Sequence, residues 1–205
     1  MYGPLRYKNN TSDFIFNFIQ KYPFATVIIQ GSYLLATHVP ILVDGTAKKF
    51  QLYGHIANHN PMREFLVDNQ EMLLVFNGPD SYISSSWYLE PDIPTWDYTA
   101  VHINATVQVQ TAGELQTSLE KLILQFEKGL KNTISPKDIP SRIWEENFKD
   151  ITGFWLKPFK LTGIEKLHQG FKKEDVNNIV RQLESDPKCP YGIVDDLIKK
   201  HGISN

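Results

Sequence analysis

The chain has 205 residues, 41% hydrophobic and 12% aromatic, which fits one globular domain and excludes a disordered polar segment. Lysine and arginine number 21 against 23 acids, a net charge of -2, so no overall field draws the chain to nucleic acid or anionic lipid. The lone Cys189 excludes an internal disulfide framework, and no apolar run approaches the roughly 20 residues of a membrane span.

In chain order, "TSDFIFNFIQKYP" places Phe14, Ile15, Phe18 and Ile19 on one helical face, with Thr11 or Ser12 as cap and Pro23 as stop. "FATVIIQGSYLLATHVPILV" reads as a hairpin turning at Gln30-Gly31-Ser32, and "DGTAKKFQLYGHI" as a further turn and strand. "NPMREFLVD" predicts a short helix capped by Asn60 with Pro61 at its first position. "EMLLVFNG" is a buried strand. Residues 97–110 alternate: Val101, Ile103, Ala105, Val107 and Val109 form a core face, and Tyr98, His102, Asn104, Thr106 and Gln108 a polar one.

"GELQTSLEKLILQFEKGL" is the clearest helix, with a stripe of Leu115, Leu119, Leu122, Ile123, Phe126 and Leu130. "ITGFWLKPFKLTGIEKL" returns to strand, Pro158 marking an edge or a bulge. The tail from about residue 172 predicts a helix with Val176, Ile179, Val180 and Leu183 on one face, and a second short helix after Pro190. The expectation is one domain over 1–205, mainly β with flanking helices, its C-terminal segment (about 172–205) helical.

Nucleophile elbows, phosphate-binding loops and dinucleotide fingerprints are missing, so no catalytic side chain is assigned. Ser84, Ser85 and Ser86 read as hydrogen-bonding hydroxyls. His38, His55 and His102 lie on predicted strands and suit a shared polar pocket. His59 follows His55 by four residues, but the pair straddles a strand end and predicts no metal. The start of the Asn60 helix, with Arg63 in its first turn, is a candidate anion site.

Taken together, "MYGP", "PFATVI", "LLATHVPILV", "GHIANHNP" with Arg63, "LVFNGPDSYISSSWY", "PTWDYTAVH", "ITGFWL" and "KLHQG" resemble the PaiB-like family of FMN-binding negative transcriptional regulators, over about residues 1–185. The resemblance implies a dimeric FMN-binding split β-barrel related to pyridoxamine-phosphate oxidase, with the flavin near the dimer interface. Residues in the matching segments are then expected to hold it. Tyr82, Trp87 and Trp96 supply apolar planes; Thr37, His38, His55, Asn60, Arg63, Ser84, Ser86, Thr95 and His102 supply polar contacts. The phosphate is expected near Thr37 and His38 or near Asn60, with Arg63 as its cation.

Five positions depart from the family pattern. Ser85 replaces a proline, Asp97 an asparagine, His59 a basic residue, and His168 and Gly170 a serine and an asparagine. Asp97 adds a negative charge and His59 removes a positive one, both unfavourable beside a phosphate dianion, so weakened FMN binding is expected. Three functions stay open: a PaiB-type FMN-binding regulator, a flavin-dependent oxidoreductase, and a flavin-free barrel acting through protein contacts. A cytoplasmic homodimer is expected, without membrane attachment. Direct DNA binding is not, because "FKKED" and "IKK" are short and flanked by acids.

Overall fold

A computed structural model describes residues 1 and 3–203. Seven strands make one sheet: β1 (Phe24–Gln30), β2 (Leu34–Pro40), β3 (Leu42–Thr46), β4 (Lys49–Ala57), β5 (Glu71–Ile83), β6 (Thr95–Val109) and β7 (Ile151–Lys166). Their order is β2-β1-β5-β6-β7-β4-β3. The recorded registers are antiparallel: β1 pairs with β2 and β5, and β4 with β3 and β7. The described helices are α1 (Ser12–Lys21), α2 (Ala112–Glu127), α3 (Ser141–Phe148), α4 (Lys173–Ser185) and α5 (Ile193–His201). This is the mainly β layout with flanking helices that the sequence leads one to expect.

By contact density the chain divides into two compact units. One comprises Met1–Ile15, Asn77–Val101 and Thr162–Asn205; the other comprises Phe16–Phe76 and His102–Leu161.

In the second unit the alternation of β1 buries Ala25, Val27 and Ile29. The hairpin to β2 turns at Gly31, where a Cβ would lie 2.7 Å from the Phe65 ring. On β4, Leu52, Gly54 and Ile56 face inward; a Cβ on Gly54 would meet Ile41 Cδ1 at 2.7 Å. His55 and Ala57 therefore face the other way. Thr111 and Glu114 close a capping box on α2. Only Leu115 and Ser118 of α2 are fully buried; Leu119, Leu122 and Ile123 are half-buried, and Leu124 and Phe126 exposed. The expected stripe is therefore only partly covered. Across a cleft from it lies α3, which buries no residue fully and which the sequence does not announce.

In the first unit a core of Ile83, Tyr88, Leu167, Ile179, Val180, Leu183, Ile193 and Leu197 joins strand ends to α4 and α5. Leu89 N–H, just past the serine run, donates to Asp175 in the first turn of α4. His201 of α5 bonds the Leu167 carbonyl at 2.6 Å.

Two strand readings need correction. β5 does not stop near Gly78 but runs through Pro79 to Ile83. β7 is an interior strand by order; Pro158 is tolerated because pairing with β4 ends at Leu156.

Candidate functional site

Of the twelve expected site residues, six fall in each unit. In the unit containing residues 77–101, Tyr82 and Trp96 meet edge to face, centroids 6.0 Å apart, and stay 46% and 55% exposed. Thr95 accepts a hydrogen bond from the Lys166 ammonium, which also donates to the Trp96 carbonyl at 2.5 Å. Burial lowers the Lys166 pKa, while the charge of Asp97 raises it. Lys166 is a cation beside an aromatic pair, and sequence reasoning left it out. The signal was present, since Lys166 opens the quoted "KLHQG" segment.

The serine run has a local task. Ser84 accepts from Ser86 N–H at 3.3 Å and shares a hydroxyl contact with Ser86 at 3.0 Å, capping a one-turn helix, Ser85–Trp87. Trp87 packs against the core formed with α4 and α5. The structure thus gives Ser84 and Trp87 structural contacts, and leaves Tyr82 and Trp96 as the open aromatic surface.

Beside this lies a buried network. His168 Nδ1 bonds Asp97 Oδ2 at 2.5 Å, and its Nε2 bonds the Tyr88 hydroxyl at 2.7 Å. Desolvation, then the charge of Asp97, pushes the Tyr88 pKa up to about 12. Tyr88 therefore keeps its proton; in the tautomer with the proton on Nδ1, Nδ1–H donates to Asp97 and Nε2 accepts from the Tyr88 hydroxyl. Asp97 is fully buried and engaged by His168. Gly170 has φ +90°, a conformation that glycine and asparagine adopt most readily, so that departure is conformationally mild.

In the unit containing residues 16–76, Asn60 Nδ2 donates to Thr37 Oγ1 at 3.4 Å, and its Oδ1 accepts from Met62 N–H at 2.9 Å. The expected helix is a single 3-10 turn, Pro61–Phe65, and Asn60 itself occupies the Met62 N–H expected to meet an anion. Arg63 Nε donates to Thr152 Oγ1 at 2.7 Å, and Thr152 donates to Asn58 Oδ1 at 2.6 Å. Among the described residues, the two terminal nitrogens of Arg63 carry no hydrogen bond. His38 bonds Thr26 at 3.0 Å and stacks on Phe24. Burial lowers the pKa values of His55 and His102. His55 lines a cleft beneath α3 with Asn58 and His59.

The open Tyr82–Trp96 rings, the Lys166 ammonium and the Thr95 hydroxyl offer a flat apolar surface with polar donors. Thr37, Asn60 and the free Arg63 nitrogens offer donors to an anion. Each group lies within its own unit.

Residues 1–158 match the family described as "Putative FMN-binding domain". The chain is 31% identical to Protease synthase and sporulation protein PAI 2 of Bacillus subtilis (strain 168) over 206 residues, spanning 98% of this chain and 99% of that protein. The fold is similar to the FAD and heme binding protein from Mycobacterium smegmatis (TM-score 0.58, 14% identity, 83% of this chain and 78% of that one). It is also similar to the flavocytochrome Anf3 from Azotobacter vinelandii (TM-score 0.56, 14% identity, 83% and 73%). With its motifs in register and its sequence matched almost end to end, the chain belongs to the PaiB-like family of FMN-binding split β-barrels.

Proposed function

We propose that the chain binds FMN, acts as a homodimer, and serves in regulation in the manner the name of its Bacillus relative suggests. The observation that carries the flavin reading is the exposed Tyr82–Trp96 pair beside Lys166 and Thr95, in a chain of an FMN-binding family. Bound flavin would supply electron transfer, and the protein would supply position and electrostatics. Tyr82 and Trp96 hold an apolar plane. Lys166 keeps a positive donor at Thr95. Thr37, Asn60 and Arg63 are proposed as the anion-binding group of their own unit. His102 and His38 add imidazoles, while Ser84, Ser86 and Trp87 fix the turn that follows Tyr82.

The dimer reading rests on Phe24, Tyr33 and Leu34, which are 65–69% exposed on the β1–β2 hairpin. The regulatory reading rests on the full-length similarity to a sporulation protein. The balanced charge supplies no basic surface for DNA, so regulation is assigned to ligand or protein contacts.

The deciding experiment is a visible absorbance scan of the purified protein, before and after incubation with FMN, with calorimetric titration. One FMN per chain, with no turnover of reduced nicotinamide, is expected. Turnover with bound flavin would favour an oxidoreductase. A dimer that takes up no flavin would favour a barrel working through protein contacts.

A further inference from the structure

We propose that the cleft between α2, α3 and the end of β4 is a binding site for a small uncharged aromatic molecule bearing one hydroxyl, amine or carbonyl group, with His55 as its hydrogen-bonding partner. The cleft measures about 690 Å³, and Leu119, Ile123, Ile143, Trp144 and Phe148 form much of its wall. That volume lies in the range of small-molecule sites. Its wall includes part of the half-buried apolar stripe of α2, faced across the cleft by a helix with no fully buried residue. Close-packed interiors do not leave such a stripe half-covered beside open volume without cost.

The polar groups around the cleft identify its ligand. Asn58 is engaged, accepting from Thr152 and donating to the Lys149 carbonyl at 2.8 Å. Asn147 Nδ2 donates within α3 to the Ile143 carbonyl, and Trp144 Nε1 to the Pro136 carbonyl. The His55 ring makes no hydrogen bond among the described residues. Burial favours its neutral form, which can both donate and accept. No lysine or arginine lines the cleft; His59 lines it from an exposed position, and Asp150 at its wall is exposed and repels anions. An anion such as FMN would find no counter-charge. A cation would be desolvated against aliphatic walls. A neutral aromatic molecule fits the Trp144 and Phe148 rings and gives His55 the partner it lacks.

A neighbouring cleft of about 940 Å³ shares Ile139, Trp144 and Phe148 but is lined by Glu120, Lys137, Glu145 and Lys149. Its charged walls mark it as a solvent groove.

The test uses the full chain with FMN supplied, so failure of the flavin reading shows separately in flavin absorbance. N-phenyl-1-naphthylamine fluorescence reports occupancy, and 1-naphthol and 1-methylnaphthalene compete for the site. Saturable binding of one probe per chain is expected. Ile143→Trp and Leu119→Trp, which fill the cleft, should each weaken probe binding at least tenfold while FMN binding is unchanged. His55→Phe should weaken 1-naphthol about two- to tenfold, the worth of one hydrogen bond, and leave 1-methylnaphthalene unaffected. Three results would each overturn the proposal: no saturable binding to the folded wild type, undiminished binding in every folded filling variant, or equal loss of both competitors in His55→Phe. Far-UV dichroism establishes which variants are folded.

Discussion

Asp97 on β6 and His168 just beyond β7 are 71 residues apart in sequence, yet their side chains bond directly at 2.5 Å, both 99% buried. These are also two of the positions where the chain departs from its family's pattern, asparagine becoming aspartate and serine becoming histidine. Singly, either change looks damaging, because each puts an ionisable group into the core. Together they make a bonded pair, extended to Tyr88 at 2.7 Å. His168 holds φ +54°, so the backbone is also committed to this arrangement. Asp97 Oδ1 is left without a described partner, which makes the pair dependent on the one bond it has.

The pair predicts strong coupling. His168→Ala strands a buried carboxylate and should cost about 3–5 kcal/mol in urea unfolding. Asp97→Asn keeps an acceptor and should cost less, about 1–3 kcal/mol. The double variant Asp97→Asn/His168→Ala should be more stable than the sum of these two singles predicts, by at least about 1 kcal/mol. Additive losses would show that the two departures are unrelated.

Much of the frame was legible in the sequence, and what escaped has physical causes. Period-two alternation identified Val101, Ile103, Ala105 and Val107 as core because one strand face carries that signal locally. The same reading placed α1, the β1–β2 hairpin and the Asn60 cap. It missed α3, whose sequence "SRIWEENF" lacks a long apolar stripe and has no side-chain cap. It missed the Asp97–His168–Tyr88 network because nothing local says that residues 97 and 168 meet. It gives Ser84 and Ser86 as ligand contacts but not the local bond they make, in which the Ser84 hydroxyl accepts from Ser86 N–H.

pH dependence should follow from two imidazoles. Burial lowers the pKa of both His55 and His102 from the ordinary 6.5. The native state therefore binds these protons more weakly than the unfolded chain does. The stability they contribute is whole above the unfolded value and is lost as pH falls through 6.5 toward the folded values. Urea midpoints measured from roughly pH 7.5 to 5.5 should decline in the wild type. The decline should be shallower in a His55→Phe/His102→Phe variant. Parallel profiles would mean that neither group is protected from protonation by the fold.

Flavin affinity should separate the two sets of residues. Trp96→Ala and Tyr82→Ala each remove an aromatic contact worth about 0.5–1.5 kcal/mol, so FMN should bind about two- to tenfold more weakly. Lys166→Met and Arg63→Ala each remove a charged donor, and about ten- to a hundredfold is expected. Riboflavin, which lacks the phosphate, provides the control: Arg63→Ala should leave its affinity unchanged. Equal losses for FMN and riboflavin would remove Arg63 from any phosphate role.

Assembly is tested at the hairpin. Phe24, Tyr33 and Leu34 are 67%, 65% and 69% exposed, and β2 is the terminal strand in the sheet order. An uncovered strand edge beside three large apolar side chains invites association, and native chains cover or charge such edges. Here the hairpin carries neither a lysine nor an acid from residue 24 to residue 40, so charge does not blunt it. Leu34→Glu places a carboxylate on that surface without touching the buried Ala25, Val27 and Ile29 of β1. Light scattering should give a two-chain mass for the wild type at micromolar concentration. Leu34→Glu should raise the dimer dissociation constant at least tenfold with its unfolding midpoint preserved. If the wild type is monomeric under those conditions, the exposed hairpin serves some other contact and the dimer is rejected.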